Sequence, residues 1–218
     1  MKLFLDSANI DELKKAVAWG IIDGVTTNPT LIAKEAVPTE ERVRQICSFI
    51  QGDVSAEVLA TTAKEMVTEG RQLARIHPNI VVKIPLTPDG IAAVTALSKE
   101  GVRSNVTLCF SAAQALLAAK AGAYIVSAFV GRVEDLGWPG NELIADIVQI
   151  YSLHGFKTQV LAASLRGPLH VLEAAKAGAH IATVTLKTLE QMFHHPLTEK
   201  GLKQFLHDHN QAFPLVRA

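Results

Sequence analysis

Eight short runs rich in apolar and β-branched residues recur along the chain, each followed by a longer stretch whose apolar residues fall at helical spacing. The runs are KLFLD (2–6), GVTTN (24–28), VSAEVL (54–59), NIVVKIPL (79–86), VRSNVTLCF (102–110), YIVSAFV (124–130), KTQVLAAS (157–164) and HIATVTL (180–186). Between them lie stretches such as NIDELKKAVAWG, ERVRQICSFI, TTAKEMVTEGRQLARIH and GIAAVTALSKEG. Strand and helix in strict alternation favour parallel pairing, because parallel neighbours need a long crossover between them. The runs are near-continuous in apolar character, as in a sheet covered by helices. Eight units in 218 residues make about 27 residues each, the spacing of a compact (β/α)8 TIM barrel. This α/β barrel, as one domain spanning 1–218, is the expected fold. A doubly wound open sheet is the alternative, and no Gly-x-Gly-x-x-Gly fingerprint follows the first run to favour it. The segment LTEKGLKQFLHDHNQAF makes one amphipathic helix more than a barrel needs. It is placed to cap the barrel or to reach over a neighbouring subunit.

Local signals mark the helix ends. Ser7 or Asn9 precedes DELKK, Ser111 precedes AAQALLAAKAG, and Pro139 opens GNELIADIVQIYSLHG. Gly20, Gly122, Gly155 and Gly178 close helical stretches where a left-handed cap is easiest. With 49% hydrophobic and 19% charged residues, the chain has ample core material. Lys plus Arg and Asp plus Glu number 21 each, without a basic stripe, which argues against a nucleic-acid partner. The start, MKLFLDSANIDELKK, turns polar too soon for a signal peptide, and no apolar run reaches the length of a membrane span. Cys47 and Cys109 lie in apolar surroundings without Cys-x-x-Cys spacing. They read as reduced core residues, which suits the cytoplasm.

A barrel enzyme carries its reactive groups at the C-terminal ends of its strands. Asp6 ends the first run; Thr26, Thr27 and Asn28 end the second; Glu57 lies late in the third and Lys83 late in the fourth. Asn105 and Thr107 lie in the fifth, Ser127 in the sixth with Arg132 just beyond, and Ser164 ends the seventh with Arg166 following. Each has a plainer reading alone: Asp6 with Ser7 as a helix cap, Asn28-Pro29 as a turn followed by a helix start, the arginines as surface charges. Together they are hard to explain as structure. Lys83 is the sharpest of them. Two-residue periodicity puts Val81, Lys83 and Pro85 on one face and Val82, Ile84 and Leu86 on the other. If Val82 and Ile84 meet the helices, Lys83 points into the barrel among apolar neighbours. A desolvated amine there is suited to imine formation with a substrate carbonyl. Asp6 and Glu57 supply proton transfer, and Arg132 and Arg166 supply phosphate binding. These parts describe a sugar-phosphate lyase or transferase acting through a Schiff base. The His194-His195 pair and the HDH run at 207–209 read as exposed helix positions rather than metal ligands, and no metal site is expected. Ser164 has no histidine at a strand end to activate it, which argues against a hydrolase triad.

At these residues the sequence resembles the transaldolase family. GVTTNPTLI (24–32) and IVVKIPLTPDG (80–90) resemble its two signatures, and LFLDSAN, SAEV, SNVTLCFS, VSAFVGRVED and LAASLRG resemble its other strand ends. The length is similar to the short subfamily that includes fructose-6-phosphate aldolases and small transaldolases. The resemblance implies a cofactor-free class I (β/α)8 barrel acting on sugar phosphates, often a decamer of two pentamer rings. It implies Lys83 as the Schiff-base lysine and Asp6 as the acid/base of carbon–carbon cleavage. Glu57 and Thr107 would hold the catalytic water, and Asn28 and Asn105 the hydroxyls of a retained dihydroxyacetone unit. Arg132, Ser164 and Arg166 would bind phosphate with Ser127 nearby, and Thr26 and Phe129 would complete the substrate pocket. The aldolases of the subfamily carry glutamine, tyrosine and lysine where this chain has Glu57, Phe129 and Arg166. A transaldolase is therefore expected. It would move dihydroxyacetone from sedoheptulose 7-phosphate to glyceraldehyde 3-phosphate, giving erythrose 4-phosphate and fructose 6-phosphate in the pentose phosphate pathway. An aldolase that frees dihydroxyacetone is the first alternative, and a silent sugar-phosphate-binding barrel the second.

Overall fold

In the computed structural model, which describes residues 1–213, all eight runs form strands. They are β1 (Lys2–Asp6), β2 (Gly24–Thr26), β3 (Asp53–Glu57), β4 (Ile80–Pro85), β5 (Ser104–Cys109), β6 (Ile125–Phe129), β7 (Gln159–Ala163) and β8 (Ile181–Val184). They pair in chain order and in parallel, and β8 returns to β1 to close the barrel. Helices α1 (Ile10–Val17), α2 (Pro29–Lys34), α3 (Thr39–Cys47), α4 (Ala63–Ala74), α5 (Pro88–Lys99) and α6 (Ala112–Lys120) follow the first five strands. After β6 come α7 (Val130–Glu134) and α8 (Gly140–Leu153); after β7, α9 (Pro168–Lys176); after β8, α10 (Leu186–Phe193) and α11 (Pro196–Ala212). The architecture is the expected (β/α)8 barrel with an extra C-terminal helix, and the open sheet is excluded by the β1–β8 pairing.

The end signals act as expected. Asn9, rather than Ser7, caps α1 by accepting from the N–H groups of Asp11 and Glu12, and Ser111 caps α6. Gly20, Gly122, Gly155 and Gly178 adopt φ of 73°, 86°, 67° and 86°, the left-handed region open to glycine. Two short helices flank the opening: α2 follows the Asn28-Pro29 start signal, and α7 has no such signal. Asn28 leaves β2 early because its side chain accepts from Leu31 N at 3.0 Å and starts α2, with Pro29 at the first helical position. α7 starts directly at the end of β6 and lifts Arg132 onto a helix.

Strand periodicity sorts the core into two layers. Val54, Ala56, Val82, Ile84, Val106, Val126 and Val160 pack outward against the helices. Phe4, Val81, Ile125, Leu161 and Ile181 fill the barrel interior. Phe4 fits because its strand neighbour is Gly24: a Cβ there would lie 2.6 Å from the Phe4 ring and 2.6 Å from Asp53 O. The N-terminal end is closed by Arg103, which pairs with Asp53, donates to Pro78 O at 2.8 Å and lies 5.1 Å from the Tyr124 ring centre. The C-terminal end stays open.

The last helix does not cap that opening. Among the described residues α11 buries none, and Leu197, Leu202, Phe205 and Leu206 are each more than half exposed. Among the described residues no helix is long and apolar enough to cross a membrane. Cys47 and Cys109 are free thiols in the core, pushed up to about 11 and about 12 by burial.

Candidate active site

At the open end, strand register sets the reactive groups side by side. Glu57 on β3 pairs with Lys83 on β4, and Asp6 on β1 with Thr26 on β2. Lys83 shares its face with Val81 of the barrel interior, as periodicity requires, while Val82 and Ile84 meet the helices. The residue is 5% exposed. Its surroundings are not the apolar ones that the sequence implies. Nζ stands 3.0 Å from Glu57 Oε2 and donates to Thr27 O at 3.0 Å. Val82 and Ile84 belong to the outer face, and above Val81 the amine meets Glu57 at the end of β3 and Thr27 just beyond β2.

Asp6 sits at the start of a chain of hydroxyls. Thr26 Oγ1 donates to Asp6 Oδ1 at 2.7 Å and lies 2.7 Å from Thr183 Oγ1. With the Thr26 proton directed at Asp6, Thr183 is the donor to Thr26. Burial raises the Asp6 carboxyl above its ordinary range, and the Thr26 hydrogen bond and the charge of Lys83 only partly offset this. Thr107 Oγ1 is buried and finds no hydrogen-bond partner among the described residues. Below this level a polar layer crosses the barrel. Asn105 Nδ2 donates to Ser55 Oγ at 3.0 Å, and Ser127 Oγ donates to Asn105 Oδ1 at 2.7 Å. Asn105 is fully buried in that layer and supports the floor.

Two adjoining cavities, of about 320 and about 120 Å³, share Asn28, Lys83, Phe129 and Arg132 in their walls. The larger reaches Glu57 and Thr107; the smaller reaches Asp6, Thr26, Ser127, Ser164 and Thr183. Asn28 caps α2 with its oxygen, which leaves its amide nitrogen for the cleft. A hollow of about 650 Å³ on the outer wall, lined by Trp19, Ile21 and Phe193, lies away from the strand ends.

The cationic side of the cleft is built on α7. The Arg132 guanidinium lies 4.9 Å from the centre of the Phe129 ring, a cation–π contact that holds it over the opening. Ser164 adopts φ of 60°, which turns its side chain at the end of β7. Gly131 lets these pieces meet: a Cβ there would lie 2.3 Å from Ser164 O, 2.9 Å from Arg166 Nε and 3.1 Å from Ser164 Oγ. Arg166, which the resemblance implies as a phosphate ligand, engages the Asp135 carboxylate with both terminal nitrogens, Nη1 at 2.5 Å from Oδ1. That contact holds Asp135 well below the usual carboxylate range.

The structure thus brings Asp6, Thr26, Asn28, Glu57, Lys83, Thr107, Ser127, Phe129, Arg132 and Ser164 to one opening. It adds Thr183, whose place was readable as two residues beyond inward-facing Ile181, and Gly131 and Asp135, for which the sequence carries no local signal. The histidine pairs lie outside the opening: His195 caps α11, and His194 is 3.9 Å from Glu199.

Residues 3–215 match the Transaldolase/Fructose-6-phosphate aldolase family. The chain belongs to this family. It is 59% identical over 208 residues to a probable transaldolase of Kosmotoga olearia, covering 95% of each chain. It is 59% identical over 209 residues to a probable transaldolase of Caldicellulosiruptor saccharolyticus, covering 95% of this chain and 96% of the other. With a probable transaldolase of Clostridium perfringens it shares 52% identity over 213 residues, 98% of this chain and 99% of that one. Membership makes the chain an enzyme of the transaldolase kind, and the cleft at the strand ends is its candidate active site.

Proposed function

We propose that the enzyme transfers a dihydroxyacetone unit from sedoheptulose 7-phosphate to glyceraldehyde 3-phosphate through a Schiff base on Lys83. The observation that carries this is a buried lysine at a barrel's catalytic end, 3.0 Å from one carboxylate and sharing its cavity with another. Lys83 Nζ, having given up a proton to Glu57, attacks the ketose carbonyl; water leaves and the imine forms. Glu57 and the unpartnered Thr107 hydroxyl hold the water that carries these protons. Asp6 takes the proton of the β-hydroxyl, the adjacent carbon–carbon bond breaks, and the shortened aldehyde departs. The electron pair stays as an enamine on Lys83. The acceptor aldehyde is then attacked by that carbon, Asp6 returns the proton, and hydrolysis frees the longer ketose.

Asp6 is fitted to this exchange because burial brings its acidity toward the working range, while Thr26 keeps a donor on its anionic form. The Asn28 amide holds hydroxyls of the retained unit, with Asn105 and Ser127 beneath it, and Arg132, Ser164 and Arg166 take the phosphate. No step needs a cofactor. We place the enzyme in the cytoplasm, in the pentose phosphate pathway, as a homo-oligomer; the unburied apolar residues of α11 support a second copy of the chain as its partner.

Borohydride reduction in the presence of donor, followed by peptide mapping, tests the lysine. A saturating donor that leaves Lys83 unmodified refutes the mechanism. Donor supplied without acceptor tests transfer against release, and rapid accumulation of free dihydroxyacetone favours the aldolase reading instead.

A further inference from the structure

One strand end breaks the two-residue alternation. On β5 both Val106 and Cys109 pack outward against the helices, three positions apart rather than two. Their partners on β6, Val126 and Ala128, are only two apart, so the register slips by one residue between them. Thr107 keeps its place opposite Pro85 on β4. Leu108 is therefore the inserted residue of a β-bulge, a device that re-aims side chains beside functional sites. Its φ is 58°, a left-handed conformation that a branched side chain rarely adopts. Thr107 and Cys109 on either side are buried, yet Leu108 is 36% exposed and lines the cavity that holds Lys83. A leucine that alternation would have packed under the helices is instead turned out at the catalytic mouth, at the expense of both strain and apolar exposure. There it joins Pro29, Leu31 and Phe129 as the apolar part of a wall that also holds Asn28, Thr30 and Arg132, beside the polar groups of Glu57, Lys83 and Thr107.

We propose that Leu108 is a specificity-determining residue that favours transfer over release by keeping water from the enamine carbon. The proposal rests on the Schiff-base transferase reading above. Release begins when the enamine carbon takes a proton from water; water then adds to the iminium carbon and the carbon–nitrogen bond breaks. The net reaction is enamine plus water giving free lysine and dihydroxyacetone. Transfer instead forms a carbon–carbon bond from the same carbon, and the product imine is hydrolysed by water at the floor, beside Glu57 and Thr107. The Leu108 side chain, shielding the enamine carbon from the side away from Glu57 and Thr107, suppresses the first protonation without starving that hydrolysis.

Leu108→Ala and Leu108→Gly test the idea, with dihydroxyacetone release measured without acceptor, transfer measured with it, and borohydride labelling of Lys83 measured in both. The release-to-transfer ratio is expected to rise roughly fivefold or more in both variants while labelling is unchanged. A ratio within about twofold of the parent, with Lys83 labelled normally, overturns the role of Leu108 and leaves the lysine mechanism standing. A parent enzyme that never labels overturns both. Leu108→Gly set against Leu108→Ala also isolates the backbone: because glycine accepts this φ freely, its melting midpoint should equal or exceed that of the alanine variant. A clearly lower midpoint would overturn the reading of Leu108 as a strained residue held for function.

Discussion

Replacing Gly131 by alanine should damage phosphate recognition while leaving imine chemistry intact. The added methyl would lie 2.3 Å from Ser164 O, where ordinary contact begins at 3.4 Å, so strand end and helix start must part by about 1 Å. The same atom would crowd Arg166 Nε at 2.9 Å and Ser164 Oγ at 3.1 Å, so two proposed phosphate ligands move together. A misplacement of about 1 Å in a positioned site costs on the order of 100-fold in rate, which is about 2.7 kcal/mol of transition-state stabilisation. The assay is kcat/KM for a phosphorylated ketose donor beside borohydride labelling of Lys83 by dihydroxyacetone, which carries no phosphate. The first should fall by about two orders of magnitude and the second should hold. A fall of less than about threefold, or an equal loss with the unphosphorylated compound, would refute the link between this close approach and phosphate binding.

Asp6 must be ionised to accept the hydroxyl proton, and its acidity is weakened by burial. The acid limb of kcat/KM should therefore lie above the ordinary carboxylate value, with activity falling as pH drops through it. Thr26→Val removes the hydrogen bond that lowers this pKa, so the limb should move to still higher pH in a pH–rate profile. The raised pKa also means that stability linked to neutral Asp6 is full at acid pH and lost as pH rises through the folded value; Asp6→Asn should melt no lower than the parent at neutral pH. Asp135→Asn frees the Arg166 fork from an exposed ion pair, so inhibition by inorganic phosphate should tighten a few-fold, up to about fivefold for a pair of this kind. Tyr151 is buried and donates to Ala115 O at 2.6 Å, so Tyr151→Phe should cost about 1–2 kcal/mol in urea unfolding. Phe205→Asp on α11 should lower the mass seen by sedimentation while the circular dichroism of the barrel is unchanged.

What could be read from the sequence was what repeats locally. Apolar runs located all eight strands, and the two-residue period oriented Lys83 correctly, because strand geometry couples spacing directly to facing. The same period, carried one step past Ile181, would have found Thr183. The short helices were harder. VGRVE has no length or cap to announce α7, so the sequence places Arg132 only as just beyond the sixth run, whereas it stands on a helix. The partners of Lys83 and Arg166 depend on strand register and on loops that bring residues together from afar. Asp135 and Arg166 are 31 positions apart, and either alone looks like a surface charge. The bulge at Leu108 was invisible for a further reason: an inserted residue leaves the composition of its strand unchanged and shifts only which face each later side chain takes.

The line of hydroxyls from Thr183 through Thr26 to Asp6 crosses the seam where the barrel closes, from the last strand to the second and then the first. Asp6 is among the first residues made, yet the donor that orients its partner arrives only when residues 181–184 dock against β1. Without β8, Asp6 and Thr26 would still stand on neighbouring strands, but the Thr183 hydroxyl that leaves the Thr26 proton free to point at Asp6 would be missing. Closure of the barrel and the orientation of the Thr26 hydroxyl toward Asp6 thus depend on one and the same event, the docking of β8 against β1.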